Sequence, residues 1–321
     1  MRFFVTGASG WIGSAVGPEL IGTGHEVLGL ARSDAAAGAL AAAGAQVHRG
    51  NLDDLDGLRS AAAHSDGVIH LAFKHDLLYA GDFQGAVDAD RRAIQTFGDA
   101  LEGSDKPFLI ASGTLGLTPG RPATEEDGRE SDPDAAGGFQ ARLDNAQTTL
   151  SLASRGVRSC VVRLPPTVHG KGDNGFMAII VAIARDKGVS GYLGDGSNRW
   201  PAVHRSDAAN IFRLALENAP AGSVVHAVGE EGVHIRDVAE VIGRHLGIPV
   251  AAIPADDAGE HFGVLAGFLG ADSPASSALT RELLRWEPTH LGLIDDLDEG
   301  HYFRVSPSSL STATKTVRGT R

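Results

Sequence analysis

Eight residues near the N-terminus, Thr6-Gly7-Ala8-Ser9-Gly10-Trp11-Ile12-Gly13, follow a short apolar run and open an amphipathic stretch. Glycines at this spacing, between a strand and a helix, suit a dinucleotide pyrophosphate. Gly7 permits a tight turn, Gly10 lets the backbone approach the phosphates, and Gly13 lets the helix pack close to the sheet with its N-terminus facing the anion. Ser9, Trp11 and Ile12 share the loop and join the expected cofactor contacts. The next apolar run ends Leu30-Ala31-Arg32-Ser33. An acidic residue there would bind the ribose 2′-hydroxyl of NAD, whereas a 2′-phosphate calls for a cation and hydroxyls. Arg32 and Ser33 therefore favour NADP(H) over NAD(H), with Asp34 the residue that could serve NAD.

Hydride delivered to a carbonyl leaves an alkoxide that must be stabilised and protonated. Ser112 and Thr114, just past the run Phe108 to Ala111, can donate hydrogen bonds to that oxygen from a strand end. His75, following the fourth strand, has a pKa range suited to proton relay. His169 and Tyr79 are further acids on the same side, and a water held by Ser112 and Thr114 is another. His70 sits inside an apolar strand and reads as a hydrogen-bonded core residue. A substrate pocket is expected among Phe176, Tyr192, Arg199 and Trp200, with Tyr79 and His169 at its edge; lobe packing is the alternative for its apolar members. No metal is expected, because the thirteen histidines show no ligand spacing and there is one cysteine. The absence of a Gly-x-Ser-x-Gly elbow argues against hydrolase chemistry.

These residues must be positioned by alternating strands and helices. Strands are expected at Arg2 to Thr6, Glu26 to Leu30, Gln46 to His48, Gly67 to Leu71, Phe108 to Ala111 and Ser159 to Arg163. Helices are expected at Trp11 to Thr23, Asp34 to Ala43, Leu55 to Ala63, Gly85 to Glu102 and Phe139 to Ser154. The pattern predicts an α/β fold, a Rossmann-type doubly wound parallel sheet with a smaller mixed C-terminal substrate lobe. Residues 1–166 form the expected cofactor domain, to which 203–228 return. Residues 167–202 and 229–303 form the substrate lobe, and 304–321 a disordered tail. The loop Gly188 to Ala202 joins a helix to the later strand Val224 to Val228 and helix Ile235 to Leu246. The chain has 321 residues and a net charge of −12, which disfavours nucleic acid and anionic membranes as partners. Cys160 lies in an apolar run and reads as an inert core thiol, and no apolar run would span a bilayer. A soluble cytoplasmic protein acting on a small molecule is expected.

Taken together, the chain resembles the extended and atypical short-chain dehydrogenase/reductase superfamily, which includes NAD-dependent epimerases and dehydratases, from Met1 to about Phe303. The glycine loop has the extended-type spacing. Asn51-Leu52-Asp53 resembles the turn that holds the adenine, and Val68-Ile69-His70-Leu71-Ala72 the fourth strand, whose end lies beside the cofactor. Leu109-Ile110-Ala111-Ser112-Gly113-Thr114 is similar to the fifth strand with its catalytic serine, and Arg163-Leu164-Pro165-Pro166 to the segment that meets the nicotinamide amide. The resemblance thus implies cofactor contacts at Asn51, Leu52, Leu71, Ala72, Phe73 and Pro165. It likens Arg199 to the arginine that nucleotide-sugar enzymes aim at a diphosphate, and implies a homodimer through the helices Gly85 to Glu102 and Phe139 to Ser154.

The family's tyrosine, followed four residues on by lysine, has no counterpart: Phe83 follows Tyr79, Gly196 follows Tyr192 and Ser306 follows Tyr302 at that spacing. The matching segment puts Gly138 in the tyrosine's place and Arg142 in the lysine's, similar to an atypical subgroup with basic residues there. Arg142 can bind ribose hydroxyls or steady an oxyanion but is too basic to donate a proton at neutral pH. The leading expectation is an NADPH-dependent reductase of a small carbonyl or polarised double bond. A nucleotide-sugar epimerase or dehydratase and a non-enzymatic NADP(H) sensor are the alternatives.

Overall fold

A computed structural model describes residues 1–118, 120–129 and 138–304; the expected tail lies outside these apart from Arg304. The central sheet contains β1 (Arg2–Thr6), β2 (Glu26–Ala31), β3 (Gln46–Arg49), β4 (Gly67–His70), β5 (Pro107–Gly113), β6 (Arg158–Leu164) and β10 (Ser223–His226). Its order is β10-β6-β5-β4-β1-β2-β3, and every pair is parallel. A parallel sheet is covered on both faces, so its strands read as continuous apolar runs. Phe3, Phe4 and Val5 are accordingly all buried.

Helices α1 (Gly13–Gly22), α2 (Asp34–Ala42) and α8 (Arg205–Asn218) cover one face; α3 (Leu55–Ala63), α5 (Phe83–Leu101) and α6 (Gly138–Ser151) cover the other. α5 starts where the Asp82 carboxylate accepts from the Gly85 amide at 2.9 Å, capping an orphan N–H. Its buried stripe, Ala86, Val87, Ala89, Ala93, Ile94 and Phe97, has helical spacing. Asp90 interrupts that stripe and is itself buried. The short α4 (His75–Tyr79) follows β4 and begins at His75.

A smaller lobe packs around α7 (Phe176–Lys187) and α9 (Ile235–Leu246). It contains β7 (Thr167–His169), β8 (Ser190–Leu193), β9 (Arg199–His204), β11 (Glu230–His234) and β12 (Val250–Ile253). These form a mixed sheet, β11-β9-β7, and a parallel pair, β12-β8. The span expected as the loop Gly188 to Ala202 therefore holds β8 and most of β9. Each strand is short, and β11 and β12 lie far along the chain, so non-local pairing rather than local pattern stabilises them. The short helices α10 (Ala258–Phe262), α11 (Ala266–Leu269), α12 (Ala278–Leu284) and α13 (Leu293–Asp298) complete the described chain.

Where β6 and β10 end, Arg163 and His226 are both fully buried. The Arg163 guanidinium donates to the carbonyls of Asp127 (2.6 Å) and Gly128 (3.1 Å). It also meets His226 Nε2 at 3.3 Å, while His226 Nδ1 lies 2.8 Å from the Ser276 carbonyl. Burial is the main cause lowering the His226 pKa to about 4, with Arg163 adding to it. The unfolded chain therefore takes up a proton between about pH 6.5 and 4 that the folded chain refuses. Its stabilising contribution is complete above that window and lost as the pH falls through it. Urea midpoints at pH 7, 6 and 5 should fall, and His226→Gln should flatten the decline; equal slopes would contradict this assignment.

Candidate functional site

The sheet reverses its winding between β1 and β4, and the strand ends there open the crevice in which such folds bind ligands. The glycine loop fills the end of β1. Gly7 has φ +67°, and a Cβ there would come within 2.8 Å of the Ala72 amide nitrogen. A Cβ on Gly13 would sit 2.2 Å from the Gly7 carbonyl oxygen, so side chains are excluded by backbone. Ser9 and Gly10 are exposed at the tip, while Ile12 packs against the core. This shallow cradle, with α1 starting behind it, fits a pyrophosphate. Trp11 donates from Nε1 to the Val168 carbonyl at 2.9 Å, and the Arg205 guanidinium covers its ring at 4.2 Å, tying the loop to β7.

At the end of β2, Arg32 is exposed and only loosely paired with Asp76, at 4.0 Å. Ser33 caps α2, accepting from the Ala36 amide. Asp34 pairs with Arg49 at 2.8 Å. Beyond β3, Asn51 accepts from the Asp53 amide, Leu52 is buried, and Asp53 pairs with Lys74 at 2.7 Å. That pair joins the turn after β3 to the segment after β4 that carries Leu71, Ala72 and Phe73.

Ser112 and Thr114 lie at the β5 end, held by the Thr114 amide donating to the Leu164 carbonyl at 3.0 Å. Both are buried, and Thr114 Oγ1 has no partner among the described residues. Pro165 is buried just beyond. Arg142 reaches in from α6: Nη2 donates to the Ala111 carbonyl at 3.1 Å, and the guanidinium lies 4.5 Å from the Phe73 ring centre. The His75 ring meets Phe73 edge-on at 5.4 Å. Desolvation lowers the His75 pKa, and the nearby Arg142 charge lowers it further. The structure thus brings Arg142, Phe73 and His75 together and sets Arg142 against Ala111, the residue before Ser112.

Behind Arg142 lies a polar chain that sequence reading missed apart from His70 as a core residue. Arg142 Nη1 is 3.1 Å from Asp90 Oδ2, Asn145 Nδ2 donates to the same oxygen at 2.7 Å, and His70 Nε2 meets Asp90 Oδ1 at 3.1 Å. His70 Nδ1 contacts Thr6 Oγ1 at 2.6 Å, and Thr6 Oγ1 accepts from the Ala72 amide. The available signal was Asp90 itself, a carboxylate on the apolar stripe of a helix.

The residues expected around the substrate are engaged elsewhere. Trp200 is buried and donates to the Ala271 carbonyl, and Phe176 packs between Trp200 and Phe268 in the lobe core. Arg199 is paired with Asp272 through its amide, Nε and Nη2. Tyr192 lies under Arg236, and His169 is fully buried with Nδ1 2.9 Å from Asp296. Tyr79 ends α4, and its side chain lies outside the described residues. Cys160 is buried and its thiol is pushed up to about 12 by burial. Among the described residues no group of three or more His, Cys, Asp or Glu could hold a metal, and no helix is long and apolar enough to cross a membrane.

The model of the NAD dependent epimerase/dehydratase family matches residues 3–228. The uncharacterized protein YLL056C of Saccharomyces cerevisiae is 48% identical over 92% of this chain and 98% of its own length. A 4-hydroxy-2-methyl-3-oxo-4-farnesyl-3,4-dihydroquinoline-1-oxide ketoreductase of Stigmatella aurantiaca is 27% identical, over 77% of this chain and 74% of its own. Among solved structures, the dTDP-glucose 4,6-dehydratase DesIV of Streptomyces venezuelae, with NAD and TYD bound, aligns with a TM-score of 0.75. It has 18% identity and covers 95% of this chain and 97% of that one, a likeness of fold.

Proposed function

The chain belongs to the NAD-dependent epimerase/dehydratase family, and on that premise we propose that it is an NADPH-dependent reductase of a small carbonyl or polarised double bond. The observation that carries the reading is the Arg142 guanidinium bound to the Ala111 carbonyl, next to Ser112 at the β5 end, with the buried Thr114 hydroxyl, unpartnered among the described residues, two residues further on. The residues would hold NADP(H) through the glycine loop, Arg32 and Ser33, the turn at Asn51 and Leu52, residues 71–73 and Pro165. When bound, the dinucleotide supplies the hydride.

Ser112 and Thr114 then hydrogen-bond the substrate oxygen as it gains charge, and Arg142 stabilises that charge and binds ribose hydroxyls. His75 stands near enough to Arg142 to feel its charge and is the proton donor in this reading. Its lowered pKa leaves it mostly neutral at pH 7, so turnover should rise as the pH falls toward that pKa. Residues 1–166 and 203–228 would serve the cofactor, 167–202 and 229–303 the substrate. A homodimer through α5 and α6 and a cytoplasmic location belong to the same reading. The pairing of Arg199 with Asp272 disfavours the nucleotide-sugar alternative, since a diphosphate would have to displace that carboxylate.

Purified protein should consume NADPH when carbonyl compounds are added, and Ser112→Ala should lower kcat by about 10²-fold. Tight NADPH binding with no consumption across the panel would instead support a sensor. Loss of a charge-assisted bond to the 2′-phosphate is worth ~1.5–3 kcal/mol. Arg32→Ala should therefore raise the KM for NADPH by roughly 10- to 100-fold and leave that for NADH nearly unchanged. Asp34, paired with Arg49, is the residue that equal effects on both cofactors would implicate.

A further inference from the structure

We propose that Asp90 is a positioning residue for Arg142, and that Thr6, His70 and Asp90 form a fixed polar chain tying the glycine loop to that guanidinium. The proposal rests on the reductase reading for its effect on turnover, but its geometry is independent of it. Hydrogen-bonding roles along the chain can be assigned one by one. The ionised Asp90 carboxylate only accepts, so the His70 Nε2 that meets it at 3.1 Å carries the proton. Asp90 Oδ2 takes Arg142 and Asn145. Thr6 Oγ1 accepts from the Ala72 amide at 3.2 Å, which leaves its hydroxyl proton to donate to His70 Nδ1 at 2.6 Å. Each of these contacts then has a donor and an acceptor.

The consequence for Arg142 is orientation. A long side chain at a partly open site would otherwise sample many rotamers. Here Asp90 and the Ala111 carbonyl engage one Nη each, and the Phe73 ring lies against the guanidinium. Among the described residues two of its five N–H donors are used, and the others are left for ribose hydroxyls or substrate oxygen. Asp90 is 4% exposed, so it acts through Arg142 rather than by touching ligand. The chain also ends on Ala72, the backbone against which Gly7 packs, so the loop and the guanidinium share one rigid support.

The test uses the full chain and NADPH as the probe. Asp90→Asn should weaken NADPH binding, measured by fluorescence titration, by about tenfold and lower turnover similarly. In an Arg142→Ala background it should add nothing further to either. Asn145→Ala removes another donor to Asp90 but leaves the arginine pair, so it should lower Tm and leave NADPH affinity unchanged. Wild-type affinity in Asp90→Asn, or effects additive with Arg142→Ala, would overturn the proposal. Should Asp90→Asn fail to fold, ¹⁵N spectra of His70 decide: the Nε2 that faces the Asp90 carboxylate carries a proton, and Nδ1 accepts from Thr6. A ring carrying its proton on Nδ1 instead would contradict the chain. Absence of NADPH binding by the native protein would sink the functional reading while leaving the ¹⁵N result to stand or fall separately.

Discussion

Gly13→Ala should reduce NADPH affinity by at least about 100-fold, the largest binding loss expected from any single methyl group in this protein. The added Cβ would stand 2.2 Å from the Gly7 carbonyl oxygen and 2.6 Å from Ala8 Cα. Both are backbone atoms of the turn proposed to cradle the pyrophosphate, so no side chain can swing aside. Either α1 must withdraw from β1 or the turn must open, and each moves the amides away from the phosphates. Overpacking of this kind costs about 1–3 kcal/mol of stability, enough to lower Tm without unfolding the domain. Gly22→Ala, at the exposed end of the same helix with nothing within 4 Å of its added Cβ, is the control. It should bind NADPH normally and be slightly more stable, by about 0.5–1 kcal/mol. Undiminished binding in Gly13→Ala, by calorimetry, would mean that the loop is not the pyrophosphate site.

The second large effect is on stability. Glu125→Ala should cost about 3–5 kcal/mol, because it removes one sign of charge from a buried cluster and leaves the other. Glu125 is 1% exposed, and its Oε1 accepts from both the amide and hydroxyl of Thr280, at 2.8 and 2.5 Å. Arg163, fully buried, lies within its electrostatic reach. Truncation orphans the Thr280 donors and deprives the guanidinium of a balancing charge together. Glu125→Gln separates the two losses: its amide oxygen can still accept from Thr280 while the charge is gone. Chemical denaturation should place Gln between wild type and Ala; equal stability of all three would show that the carboxylate contributes nothing there.

Much of this protein is legible in its residues because the signals are local. A strand, a glycine loop and a helix within 22 residues set up the cofactor cradle, and two-sided burial made the sheet strands continuous apolar runs. The observed β1 and α3 keep the expected bounds, and other elements of the first half shift mostly at their ends, where capping is decided by one or two hydrogen bonds. The lobe was harder. β9 runs through Arg199, Trp200 and Pro201, which have no strand-like alternation of their own. Its partner β11 lies about 30 residues on, and Trp200 is fixed by the carbonyl of Ala271. The same non-local packing took Phe176 and Trp200 into the lobe core and paired Arg199 with Asp272.

The sequence by itself determined the doubly wound parallel sheet, the glycine cradle, the cationic end of β2, and the lack of a tyrosine followed four residues on by lysine. Each rests on residue type and short spacing, which backbone geometry converts directly into structure. Only the tertiary structure decided what surrounds Arg142. Thr6, His70, Asp90 and Ala111 come from four separate elements, and their meeting depends on the order of β1, β4 and β5 and on how α5 and α6 pack over them. A buried carboxylate must find its partners wherever the fold brings them, and sequence separation carries no information about that distance.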